Sequence, residues 1–130
     1  MKRIATIAIT CGLSFTAGIG VMWAQQQQQK SHRDPQFENG QMEAHYSLIM
    51  PHDPLTYHRH DHGRAIVALT DAVLKVEEKG TGKVLHTYVW KKTHAYWLDK
   101  DPPNQLHADV NDTNKPIEVM VVELRGDDKK

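Results

Sequence analysis

Cysteine is nearly missing from this chain. Cys11 is the only one in 130 residues, and it sits in an apolar N-terminal stretch. The folded part downstream therefore has no disulfide and no thiolate chemistry. An excess of either charge is also lacking, since 16 lysines and arginines offset 16 acids. The two signs are interspersed without a basic stripe, which removes the electrostatic footprint of a nucleic-acid binder. There is no Gly-rich phosphate loop and no serine in a strand-turn-helix setting. Glu77 and Glu78 adjoin one another, so on a strand they point to opposite faces and cannot work as a carboxylate pair. Nothing in the sequence marks a hydrolase, and no segment has the period of an amphipathic helix.

Long apolar runs are confined to the start. Lys2 and Arg3 precede the uncharged stretch Ile4 to Ala24, and the small residues Gly18, Gly20 and Ala24 lead into glutamines. Residues 1–24 read as an export signal peptide. Their length is close to the roughly 20 residues that span a bilayer, so an uncleaved anchor that tethers the protein is the alternative. Either reading places the folded part outside the cytoplasm, in the periplasm or secreted. Cys11 follows Ile9 and Thr10 and lacks the setting for lipid attachment, so it reads as apolar filler. Residues 25–40, a glutamine run followed by KSHRDPQFEN, are polar without apolar period and read as a linker. Residues 126–130 read as a charged tail.

From Gln41 the pattern is that of strands. In QMEAHYSLIM the apolar set Met42, Ala44, Tyr46, Leu48 and Met50 alternates with a polar face that carries His45. A short apolar run at 65–69 follows, then AVLKVEE, VLHTYVW, HAYWL, LHADV and IEVMVVEL, with Gly, Pro, Asn and Asp turns between them. Such punctuation predicts an all-β domain over residues 41–125, built from six to eight short antiparallel strands as a sandwich or barrel. It is large enough for one small core, to which Trp90, Tyr96 and Trp97 can contribute. IEVMVVEL reads as an edge strand.

Chemistry concentrates in TYHRHDHGR, where His58, His60 and His62 alternate. Strand spacing aims alternate rings into one space, and clustered imidazoles suit a divalent metal. A histidine-rich surface loop has the same look. At this point residues 41–125 resemble a small single-domain cupin, whose fold is a double-stranded β-helix or jelly roll. PHDPLTYHRH resembles the family's first motif, a His-x-His after a Pro-containing turn, through His58 and His60. PPNQLHADVN resembles the second, with Pro102, Asn104 in place of a glycine, His107 and Asn111.

The resemblance implies a metal held inside the barrel by His58, His60 and His107, with a glutamate four residues beyond the His-x-His pair. That position is Arg64, which cannot ligate a metal; a family glycine is likewise replaced by Asp71. Three readings follow. The three histidines hold iron, manganese, nickel, copper or zinc, with His62 as a fourth ligand and Arg64 clamping an anionic substrate. Alternatively the histidines and Arg64 form a metal-free pocket for a small anion, or the domain works through its surface. Core filling is the default for the aromatics; if the histidines sit inside the barrel, Tyr96 and Trp97, nearest the second motif, are the better pocket candidates. The resemblance also implies pairing of two copies through their sheets, a homodimer with IEVMVVEL as its edge. Under the first reading the protein oxidises or isomerises a small organic molecule; under the second it is a non-catalytic binding module.

Overall fold

The computed structural model describes residues 28–126. The expectations for a leader at 1–24 and for the tail beyond Gly126 lie outside the described residues. Eight strands follow in order: β1 (His32–Glu38), β2 (Met42–Ile49), β3 (Arg64–Ala68), β4 (Ala72–Glu78), β5 (Val84–Trp90), β6 (Ala95–Leu98), β7 (His107–Val110) and β8 (Ile117–Leu124). Every strand pair is antiparallel, and there is no helix among the described residues. A five-stranded sheet has the order β1-β2-β8-β3-β6, and a three-stranded sheet the order β5-β4-β7. The expected all-β architecture is what the chain adopts.

Inward residues alternate along each strand, as the pleat requires. Ile66 and Ala68 of β3, Ala72 and Leu74 of β4, Trp90 of β5 and Ile117, Val119 and Val121 of β8 form one buried cluster with Ile49 and Leu55. Ile49 and Ile117 are almost fully enclosed, and burial of each side chain contributes about 1.5–3 kcal/mol. Glycine is replaced at one tight turn: Asn104 adopts a φ of 62°, a left-handed conformation that asparagine tolerates better than most side chains.

Three sequence expectations need correction here. Residues 32–38 are not linker but strand β1, paired with β2 from His32↔Leu48 to Glu38↔Glu43 with a bulge between Pro35 and Phe37. The pairing is made by backbone groups and needs no apolar period, and Pro35 is tolerated because β1 is an edge. Side chains pin β1 at both ends. The Ser31 N–H donates to Asp53 Oδ2 at 2.7 Å, and the Met50 N–H donates to Ser31 Oγ at 2.7 Å. At the far end Arg125 bridges Glu38 of β1 and Glu43 of β2.

Second, the inward face of β2 carries His45, Ser47 and Ile49, not the apolar alternates. Ala44 and Leu48 are buried on the other face. The upper interior is polar, so the polar set belongs inside. Third, β8 is not an edge, because it lies between β2 and β3. Its apolar alternates make it the centre of the larger sheet, and it cannot pair with a second copy through its backbone.

Candidate metal centre

The interior is apolar at one end and polar at the other, where three histidines meet. His58 and His60 lie on the irregular stretch between β2 and β3, and His107 opens β7. The stretch is positioned through its backbone. His58 N–H donates to the His107 carbonyl at 2.9 Å, and His107 N–H to the His58 carbonyl at 2.8 Å. His60 N–H donates to Asp101 Oδ2 at 2.7 Å, and Asp101 N–H to the His60 carbonyl at 2.9 Å. TYHRHDHGR is therefore a single bridge rather than a strand, yet its spacing still turns two rings to one side. Ring centroids are 4.4 Å apart for His58 and His107, 4.9 Å for His58 and His60, and 5.7 Å for His60 and His107.

One nitrogen from each ring lies within 4.8 Å of the others. An imidazole nitrogen stands about 2.0–2.1 Å from zinc, so a bound ion would draw the trio slightly together. The second nitrogen of each ring is engaged. His58 Nδ1 lies 2.8 Å from the Thr56 carbonyl, which only accepts, so Nδ1 carries the proton and Nε2 the lone pair. That Nε2 is buried and has no hydrogen-bond partner, a state that costs about 1–3 kcal/mol. His60 Nδ1 is 2.7 Å from Glu123 Oε2, and His107 Nδ1 is 3.3 Å from Asp101 Oδ2. Both carboxylates favour a proton on Nδ1 and leave Nε2 as the donor, the arrangement that orients metal-binding histidines.

Burial keeps the rings neutral. It pushes His58 down to about 3, helped by the charge of Arg33. It pushes His60 to about 3 as well, with Arg64 next in weight. His107 is lowered by burial and then by His58 beside it. Neutral imidazole is the form that binds metal. The donor set thus fits a divalent ion: buried, neutral, convergent, and with one lone pair left unanswered by the protein.

The other expected site residues divide. His62 lines the cavity mouth but is not brought into the trio, because Gly63 and Arg64 turn the chain into β3. Arg64 faces the interior at 6 % exposure. Its Nη1 donates to the Asp99 carbonyl at 3.0 Å, and its Nη2 lies 3.6 Å from Asp101 Oδ1. Protein groups occupy it, so it braces the site instead of waiting for a substrate. Tyr96 packs half-buried against the core, its hydroxyl accepting the Lys91 N–H at 2.8 Å. Trp97 alternates outward at 55 % exposure and donates to Asp99 Oδ1 at 2.9 Å. Its ring covers Gly63, where any Cβ would collide with it. Neither aromatic lines the cavities beside His60, so both serve the framework. Asn111 is fully buried and clamps a turn, donating to the Ile49 and Lys115 carbonyls at 2.9 and 2.8 Å.

Sequence reasoning missed four residues here. Glu123 follows Ile117, Val119 and Val121 on the inward face of β8, and an acid in that register is a readable signal. Asp109 stands two residues after His107, and its Oδ2 lies 3.6 Å from His58 Nε2; burial raises its carboxyl above the usual range. Asp101 touches both His60 and His107. Arg33 reaches the interior from β1, and burial lowers it despite the opposing charges of Asp109 and Glu123. A cavity of about 480 Å³ opens above His60, with Arg33, Phe37, His45, His62 and Glu123 in its walls. A void of about 30 Å³ lies beneath, also touching Arg33, His60, Arg64 and Asp109.

No protein-family model matches the chain, and no curated protein matches it in sequence. Solved structures do match. A cupin domain from Bordetella pertussis is similar with a TM-score of 0.63 at 15 % identity, covering 75 % of this chain and 95 % of that one. An RmlC-like cupin family protein with a double-stranded β-helix fold from Methanocaldococcus jannaschii gives a TM-score of 0.55 at 7 % identity, covering 74 % and 81 %. A conserved protein with a double-stranded β-helix domain from Klebsiella pneumoniae gives 0.53 at 19 % identity, covering 77 % and 76 %. At these identities the likeness shows the fold, and the fold is the cupin double-stranded β-helix.

Proposed function

We propose that this cupin-fold protein holds one divalent metal ion through His58, His60 and His107 and acts on a small organic molecule entering above His60. The observation that carries this is the buried, unpartnered Nε2 of His58 beside two further buried imidazoles. Iron, manganese, nickel, copper and zinc are all in the running, and imidazole ligands by themselves do not choose among most of them. Such an ion on three neutral imidazoles supplies Lewis acidity at an open position. Glu123 and Asp101 fix the tautomers of His60 and His107, and the Thr56 carbonyl fixes that of His58. Oxidation or isomerisation of the bound molecule is the class of reaction proposed. The leader-like composition of residues 1–24 supports a site of action in the periplasm or outside the cell.

Elemental analysis of protein purified without chelators or nickel resin tests the metal centre. The expected result is close to one ion per chain, lost in His107→Ala while the circular dichroism spectrum keeps its β form. Absence of metal after incubation with each of the five ions, or an unchanged content in His107→Ala, overturns it. A metal-free pocket for a small anion would then be the better reading, favoured by the unpaired guanidinium of Arg33.

A further inference from the structure

We infer that the cavity above the histidines receives a small organic carboxylate, and that Arg33 of β1 is the residue that grips it. The inference rests on the metal-centre reading for what happens at the ligand's other end, but the grip itself does not need the metal.

Among the described arginines, Arg33 stands apart. Arg59 pairs with Asp61 at 2.6 Å. Arg64 holds the Asp99 carbonyl and Asp101, and Arg125 holds Glu43 and Glu38. Arg33 has no hydrogen bond or ion pair with any described residue, and its Nε is buried without a partner. A guanidinium carries five donors in a planar fork, and leaving the buried Nε–H unpaired is costly. The charges of Asp109 and Glu123 act on it from nearby, but neither acid forms an ion pair with its guanidinium, and Glu123 is taken by His60.

Position adds the second argument. Arg33 lines both the open cavity and the small void beside His60, so it stands between the entrance and the imidazoles. A carboxylate matches its fork through two parallel N–H···O bonds. Phe37 offers apolar wall for the ligand's body. The volume of about 480 Å³ falls in the range of about 300–1,000 Å³ typical of small-molecule sites. The rim acids Glu38 and Glu43 share the guanidinium of Arg125, which offsets one of their two charges.

Benzoate and malonate serve as probes, with benzamide and malonamide as uncharged counterparts of the same shape. Calorimetry and the 15N resonance of Arg33 Nε–H are followed on the full chain. The acids are expected to bind and to shift the Arg33 resonance, and the amides to do neither. Arg33→Gln should weaken acid binding by about 10–100-fold, with Arg33→Lys in between and metal content unchanged in both. Equal binding of acids and amides, no acid binding at tens of millimolar, or undiminished binding to a folded Arg33→Gln protein overturns the inference. The comparison of acids with amides stands even if both variants fail to fold. Arg33-dependent acid binding by a protein that takes up no metal would uphold the grip and sink the metal centre. One metal ion per chain with Arg33-independent ligands would do the reverse.

Discussion

Glu123→Gln is the perturbation that separates a metal centre from a merely polar core. Glu123 Oε2 lies 2.7 Å from His60 Nδ1, with the two side chains only 11 % and 9 % exposed. Glutamine has nearly the same shape, and its carbonyl oxygen still accepts the Nδ1 proton. What disappears is the negative charge. A hydrogen bond to a charged group is worth about 1.5–3 kcal/mol and a neutral one about 1, so folding stability should fall by about 1–2 kcal/mol. The carboxylate also raises the basicity of Nε2, and loss of such a partner weakens metal affinity by about 10–100-fold. Competition against a chromophoric chelator measures the affinity, and urea unfolding of the metal-free protein measures the stability. If Glu123 only stabilises the fold, metal affinity stays within about twofold, the small effect that a distant structural change produces. That outcome would refute the argument from the ring to the ion.

Acid should destabilise the metal-free protein. His58 and His60 ionise near 3 in the fold and near 6.5 when unfolded, so between those values the unfolded chain binds more protons. The stability they confer is complete above about pH 6.5 and drains away as pH falls towards 3, by at most about 1.4 kcal/mol per pH unit for each ring. Asp109, whose carboxyl is raised by burial, works in the opposite sense and softens the slope. Urea midpoints at pH 7 and pH 4.5 should differ, and the difference should shrink in His58→Gln/His60→Gln; a flat profile refutes the buried-neutral assignment. At the far end of the molecule, Asn111→Ala removes donors to the Ile49 and Lys115 carbonyls and an acceptor for the Thr113 N–H at 3.0 Å and its hydroxyl at 2.7 Å. The expected loss is about 2–4 kcal/mol with metal content intact, and a loss under about 1 kcal/mol would show that the turn holds without its clamp.

The strands of residues 41–124 were legible because alternation and turn residues are local signals. The edges of that reading failed where local signals are weak. β1 has one large apolar residue, Phe37, and is built on backbone pairing and on Ser31, so nothing in HRDPQFE announces a strand. The sense of β2 was inverted because alternation defines two faces but not which one meets the interior. A polar interior makes His45 and Ser47 the inward residues. His58, His60 and His107 were legible through their motifs. Their supporting acids were not, because Glu123 reaches the His60 ring across 63 residues of sequence and Asp101 reaches the His60 N–H across 41. Tyr96 and Trp97 were misjudged by proximity in sequence, since on a four-residue strand one of any adjacent pair must face away.

Arg64 is where the chain departs from the cupin pattern it resembles, and its surroundings show what it does in place of a ligand. A guanidinium at that position cannot ligate, and unopposed it would repel an ion. It is not unopposed: Arg64 reaches Asp101, and the other oxygen of the same carboxylate accepts the His60 N–H and lies 3.3 Å from His107 Nδ1. Across the strand pair Arg64 stands opposite Glu123, the acid that holds His60. The arginine thus acts on the histidines through Asp101, offsetting its charge in the low-dielectric interior and holding it against the His60 N–H and the His107 ring. An acid at position 64 would add negative charge beside Asp101, Asp109 and Glu123, with Arg33 as the one remaining interior cation among the described residues. Position 64 thus offers no ligand, and the three imidazoles have an ordered set of protein partners.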